Sequence, residues 1–122
     1  MIEDDANFRG MLALALNNAG YEVVQAENGV DGLRHFKAGP TDLVITDIVM
    51  DYKDGIETLI ELRKQFPAVP AIAMSGSSPH SALYLKTAKH MGALVTLEKP
   101  FRIETLLELI AEFLGPRKSV GA

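Results

Sequence analysis

Short apolar runs alternate with longer amphipathic stretches along this chain. Phe8, Met11, Leu12, Ala15, Leu16 and Ala19 recur with a helical period, and Gly20 then stops the helix. Residues 21–26 read as a strand carrying Val23 and Val24. Asn28 can cap a short helix that buries Val30, Leu33 and Phe36, and Gly39-Pro40 breaks it. Leu43, Val44 and Ile45 form an apolar run that ends at Asp47. A third helix starts near Asp54-Gly55, buries Ile56, Leu59, Ile60 and Phe66, and ends before Pro67 and Pro70. Residues 71–74 are the next strand, followed by a polar stretch over 75–79. Residues 81–91 read as a helix with a weaker stripe of Ala82, Leu85, Ala88 and Met91, and residues 94–97 as a strand. Ile103, Leu106, Leu107, Ile110, Ala111 and Leu114 share one face of a last helix, which Gly115-Pro116 ends. The tail over 117–122 is expected to fray.

The strands are apolar throughout rather than alternating, which is the mark of strands covered on both faces and hence of a parallel sheet. Helices between them supply the crossovers that parallel strands need. The pattern predicts β-α repeated five times, a doubly wound α/β domain. Only Met1 and Ile2 precede Glu3, where a buried strand normally runs about 5 residues, so either the chain has lost its natural start or the first strand is a stub. So short a central strand predicts a weaker sheet and favours exchange or pairing between chains.

At 122 residues the chain is one domain's worth. Cysteine is absent, which removes disulfides and thiolate metal sites and fits a reducing, cytoplasmic setting. The formal net charge of −4 argues against direct nucleic-acid binding. No apolar run approaches the ~20 residues that span a bilayer, and the acids Glu3, Asp4 and Asp5 stand where a secretory leader would be basic and then apolar.

In an open α/β sheet, ligands sit outside the carboxyl ends of the strands. Glu3 and Asp4 follow the first strand, Asp47 the third, Ser75 the fourth and Lys99 the fifth. One aspartate at a strand end is as readily a helix cap, and one lysine as readily a surface residue. Their joint placement at one rim carries the signal. Two carboxylates about 5 Å apart repel by roughly 3 kcal/mol at an effective dielectric near 20. Such a cluster raises a pKa or attracts a cation. Oxygen ligands without His or Cys suit Mg²⁺ before Zn²⁺. A metal and a lysine around a carboxylate are what phosphoryl transfer needs.

Glu3-Asp4, Asp47-Ile48-Val49-Met50 with Asp54-Gly55, Ser75-Gly76 and Lys99-Pro100-Phe101, in this order, resemble the receiver family of two-component signalling, chemotaxis regulators included. The resemblance runs from Met1 to about Leu114, with residues 1–115 as the receiver domain and 116–122 as a C-terminal tail. It implies the flavodoxin-like strand order 2-1-3-4-5. It implies Asp47 as phospho-acceptor, Asp4 as a direct Mg²⁺ ligand, Glu3 as a ligand through water, and the Val49 backbone carbonyl as a further ligand. Ser75 and Lys99 would bind the phosphoryl group, with Ser75 and Thr96 at the switch positions. The Lys99-Pro100 bond falls where the family keeps a cis peptide, which proline makes accessible.

The implied protein is not a turnover enzyme but a switch. A histidine kinase or phosphotransfer protein supplies the phosphoryl group, and an output domain or target protein reads it. The chain itself is expected to be a monomer or weak dimer. Three residues depart from the family pattern: Asp51 stands where proline is usual, Ser75 replaces the commoner threonine, and Thr96 replaces a swinging aromatic residue. Asp51, Thr96 and the short first strand keep open a receiver-like interaction module that takes no phosphoryl group. A Mg²⁺-dependent phosphohydrolase is a second alternative, although His35, His80 and His90 lie away from the strand ends. A flavin or nucleotide binder ranks lower, because no glycine-rich loop follows the first strand.

Overall fold

A computed structural model describes residues 1–48, 55–76, 86, 89, 93, 95–114 and 119–121. In chain order these form α1 (Ala6–Asn18), β1 (Glu22–Val24), α2 (Gly29–Ala38), β2 (Val44–Asp47), α3 (Gly55–Gln65), β3 (Ala71–Ser75), β4 (Val95–Glu98), α4 (Ile103–Leu114) and β5 (Ser119–Gly121). The helix read over 81–91 lies outside the described residues, except that Lys86 and Lys89 are helical.

Local chemistry sets the helix ends. The Asp5 side chain caps α1 by accepting from the backbone N–H groups of Asn7 and Phe8. Gly20, just past the end of α1, has φ 98°, a left-handed conformation that glycine adopts at little cost. Asn28 caps α2 as its residue type predicts, with Oδ1 accepting from Asp31 N–H at 2.9 Å.

β2, β3 and β4 pair in parallel in that order. Ile2 bridges Ala26 on one side and Thr46 on the other, both in parallel, so the first segment lies between the strand through 22–26 and β2. Counting Met1–Ile2 as the first strand, the strand through 22–26 as the second and β2, β3 and β4 as the third to fifth, the order is the expected 2-1-3-4-5. Successive residues of the central strands point to opposite layers. Ile45, Ile72 and Met74 pack with Leu12, Leu16, Leu106 and Ile110 beneath α1 and α4. Val44 packs with Leu33, Phe36 and Leu62 beneath α2 and α3. Every residue of β2 and β3 is buried, whereas β4 ends exposed at Glu98. This is the doubly covered parallel sheet that unbroken apolar runs demand.

Expectations for the faces of three helices and for the tail need correction. Val30 is exposed, because the buried side of α2 is carried by Gly29, Gly32, Leu33 and Phe36. Met11, Ala19 and Ala111 also face outward. In α1 the buried residues are Leu12, Ala13 and Leu16, which shifts the stripe by part of a turn. The tail does not fray at 119–121: β5 pairs in parallel with β1, Ser119 opposite Glu22 and Gly121 opposite Val24.

That pairing extends the short first strand. Val24 lies two residues before Ala26, and Ala26 pairs with Ile2. Gly121, opposite Val24, therefore occupies the register position just ahead of Met1. β5 and Met1–Ile2 lie in line as one composite central strand. The pairing satisfies backbone groups of 22–24 on the side that faces the first segment. The Met1 amino group closes the join by donating to the Val24 carbonyl at 2.7 Å.

Phe36 is fully buried and meets Phe66 edge-on, with ring centroids 4.7 Å apart. Phe36→Ala should lower unfolding stability by about 3–5 kcal/mol, read as a lower urea midpoint at an unchanged slope.

Candidate functional site

The carboxyl ends of the strands bring Glu3, Asp4, Asp47, Ser75 and Lys99 to one rim. Carboxylate oxygens of Glu3, Asp4 and Asp47 all lie within 4.8 Å of one another. Glu3 and Asp47 are buried and Asp4 is exposed. Backbone bonds fix each position. Asp47 N–H donates to Ile2 C=O at 2.9 Å, and Ile2 N–H donates to Ile45 C=O at 2.8 Å. These tie the segment before Glu3 to the strand that ends at Asp47. Lys99 N–H donates to Ser75 C=O at 2.7 Å, which links the ends of β3 and β4, and the Lys99–Pro100 peptide is cis.

Lys99 crosses the rim. Its Nζ donates to Glu3 Oε1 and, at 3.1 Å, to Asp47 Oδ2. The other Glu3 oxygen accepts from Asp5 N–H at 3.1 Å. Both Glu3 oxygens thus hold protein donors, which suits a carboxylate that meets a metal through water, while Asp4 stands open at the surface. Burial pushes the Glu3 carboxyl up to about 7. The Lys99 hydrogen bond pulls it down and the Asp47 charge pushes it further up. Burial disfavours the charged form of Lys99, but its bond to Glu3 and the charge of Asp47 more than offset this, so it stands above the ordinary lysine range.

Ser75 sits in the rim with its hydroxyl turned toward its neighbour, donating to Gly76 C=O at 3.4 Å. Thr96 is half-buried in β4, in register with Ala73. Val49, Asp51, Asp54, His80 and His90 fall outside the described residues, and His35 is exposed on α2.

Two neighbours escaped the sequence reading. The Arg9 guanidinium donates to the Glu3 carbonyl at 2.7 Å. The Phe8 ring lies beneath the Lys99 ammonium, 4.4 Å from Nζ to the ring centroid. Helical periodicity explains Phe8 as a core residue, and only its place three residues after the capping Asp5 hints at the rim.

The description "Response regulator receiver domain" matches residues 1–111. The chain is 34% identical over 116 residues to the transcriptional regulatory protein GlrR of Escherichia coli K12, covering 93% of this chain and 25% of that protein. It is likewise 34% identical over 116 residues to the DNA-binding transcriptional regulator NtrC of Rhizobium meliloti, covering 95% of this chain and 24% of that one. It therefore spans about a quarter of the length of these relatives. Among solved structures, the receiver domain of NtrX from Brucella abortus superposes with a TM-score of 0.86 at 27% identity, covering 93% of this chain and 94% of that one. A receiver domain from Clostridium thermocellum gives 0.85 at 28% identity, covering 93% and 90%.

The raised Glu3 pKa makes a pH prediction. The folded protein holds a proton on Glu3 between its ordinary value of 4.5 and about 7, so Glu3 stabilises the fold below that window and the contribution is lost as pH rises through it. Glu3→Gln removes the titration. Without metal, its melting temperature should gain on the unaltered protein from pH 5 to pH 8 and then level off. The Met1 amino group, pushed down to about 4 by burial, acts in the opposite direction but is common to both proteins. Parallel melting curves across this range would remove Glu3 from the titrating rim.

Proposed function

This chain belongs to the response regulator receiver domain family, and on that premise we propose that Asp47 is the residue that accepts the phosphoryl group. The observation that carries the reading is the Lys99 ammonium 3.1 Å from Asp47 Oδ2 at a buried rim of acids. A carboxylate beside a fixed cation is a nucleophile whose product charge is already countered.

The oxygen donors at the rim fit Mg²⁺. Three carboxylates from two strand ends converge within 4.8 Å, with neither His nor Cys among them. Asp4 and Asp47 would hold the ion directly and Glu3 through water. The Val49 carbonyl is the further ligand that the family resemblance implies. When bound, Mg²⁺ offsets negative charge on the transferring oxygens.

The chain's own residues do the rest. An Asp47 carboxylate oxygen attacks phosphorus and forms an O–P bond. The N–P bond to a partner's phosphohistidine breaks, and the imidazole leaves with its electron pair. Lys99 then faces a group carrying up to two negative charges and three acceptor oxygens. Its ammonium can pass from Asp47 to one of those oxygens while its backbone stays on Ser75. The Ser75 hydroxyl exchanges its long bond to Gly76 for a charge-assisted one. Thr96 follows Ser75 and Lys99 across the paired ends of β3 and β4, as a short side chain that repacks without a large swing. Moving such a switch from 1:99 to 99:1 takes about 5.5 kcal/mol of differential binding, within reach of several charge-assisted hydrogen bonds.

The partners would be a histidine kinase or phosphotransfer protein upstream and an output module downstream. The relatives' names give transcription regulation as their use of the module. No helix among the described residues is long and apolar enough to cross a membrane, and we place the domain in the cytoplasm.

Acetyl phosphate with Mg²⁺ should add one phosphoryl group to the protein, seen by intact-protein mass spectrometry, and Asp47→Asn should abolish it. Full labelling of the variant would transfer the acceptor role elsewhere. No labelling of the unaltered protein would favour the interaction module that takes no phosphoryl group.

A further inference from the structure

The rim poses a positioning problem that its charged residues do not solve. Lys99 is held by two carboxylates at once, and it is the longer contact, the one to Asp47, that the chemistry needs. A lysine stem is flexible and its ammonium a compact point charge, so either acid alone could draw it aside. Something must keep Nζ over the midline without binding it to one acceptor.

We propose that Phe8 is the positioning residue for Lys99, its ring face seating the ammonium between Glu3 and Asp47 during phosphoryl transfer. This rests on the phospho-acceptor reading of Asp47. The ring stands 4.4 Å from Nζ, well inside the ~6 Å over which an aromatic face attracts a cation. Such a face offers electrostatic attraction but no directional acceptor, so it steadies the ammonium and leaves it free to turn from carboxylate to phosphoryl oxygen.

The seat is itself braced. Phe8 N–H is fixed by the Asp5 cap at 3.1 Å, which sets the start of α1. The ring meets Phe101 edge-on, with centroids 6.0 Å apart and planes at 75°. Phe101 follows Pro100, so the segment that carries Lys99 also supplies the brace. Both rings pack against the core beneath α1 and α4. The seat is therefore coupled to the sheet rather than to the loop alone.

The experiment compares the full chain with Phe8→Leu and Phe8→Tyr. The reaction is labelling by acetyl phosphate with Mg²⁺, in which an Asp47 oxygen forms a bond to phosphorus and acetate leaves with its electron pair. Phe8→Leu keeps the apolar volume but lacks the ring face. It should lower the maximal labelling rate about three- to tenfold, while the half-saturating donor concentration changes less than twofold. Phe8→Tyr should restore the rate. A second readout needs no turnover: ring current should shift the Lys99 ε-methylene protons upfield in the NMR spectrum of the unaltered protein, and Phe8→Leu should abolish the shift.

Labelling of Phe8→Leu at the full rate, a deficit that Tyr does not rescue, or unshifted Lys99 protons in the unaltered protein would each overturn the proposal. Failure of the unaltered protein to label at all, with the ring-current shift present, would instead overturn the phospho-acceptor reading and with it the seat's role in transfer.

Discussion

The structure depends on one ammonium group among buried acids. Glu3 and Asp47 are taken out of water at the ends of neighbouring strands, and Asp4 stands beside them. At these separations two ionised carboxylates repel by about 3 kcal/mol for an effective dielectric near 20. Lys99 relieves that repulsion from the end of β4, across 96 residues of sequence from Glu3. The Glu3 carboxyl stands near 7 chiefly because it is buried; the Lys99 hydrogen bond pulls it down and the Asp47 charge adds to the rise. The three carboxylates, within 4.8 Å of one another, form a cluster that could hold a metal ion.

That tension can persist because the backbone around it is rigid. β2 and β3 are buried on both faces, and their ends cannot spread without breaking parallel ladders and opening two apolar layers. Two residues carry Glu3 into place, held by bonds to Ile45, Asp47 and Ala26. β5 lies in line ahead of them and restores length to the central strand. The acids are thus positioned by backbone bonds from Met1–Glu3 to the strands on either side.

Much of this was legible in the residues. Unbroken apolar runs at 43–45 and 71–74 specified parallel, doubly covered strands, because polar side chains on either face would have met a helix. Asn28 and Gly20 marked helix ends through capping and left-handed geometry. Placing Asp47, Ser75 and Lys99 just after apolar runs was enough to gather them at one rim, since all parallel strands point the same way. Val30 and Met11 were misassigned because periodicity locates an apolar stripe only to within part of a turn. The neighbouring helix decides which edge of that stripe is covered.

The sequence by itself determined the α/β architecture, the acids and lysine of the rim, and the order in which they occur, because these follow from short-range pattern and the direction of the strands. Tertiary structure alone decided that Lys99 reaches Glu3 as well as Asp47, that the Ser75 hydroxyl rests on Gly76, that Phe8 underlies the ammonium, and that residues 119–121 extend the first strand. Each of these joins segments whose separation along the chain carries no periodic signal. Each was settled by which donor, ring or strand edge packing left within reach.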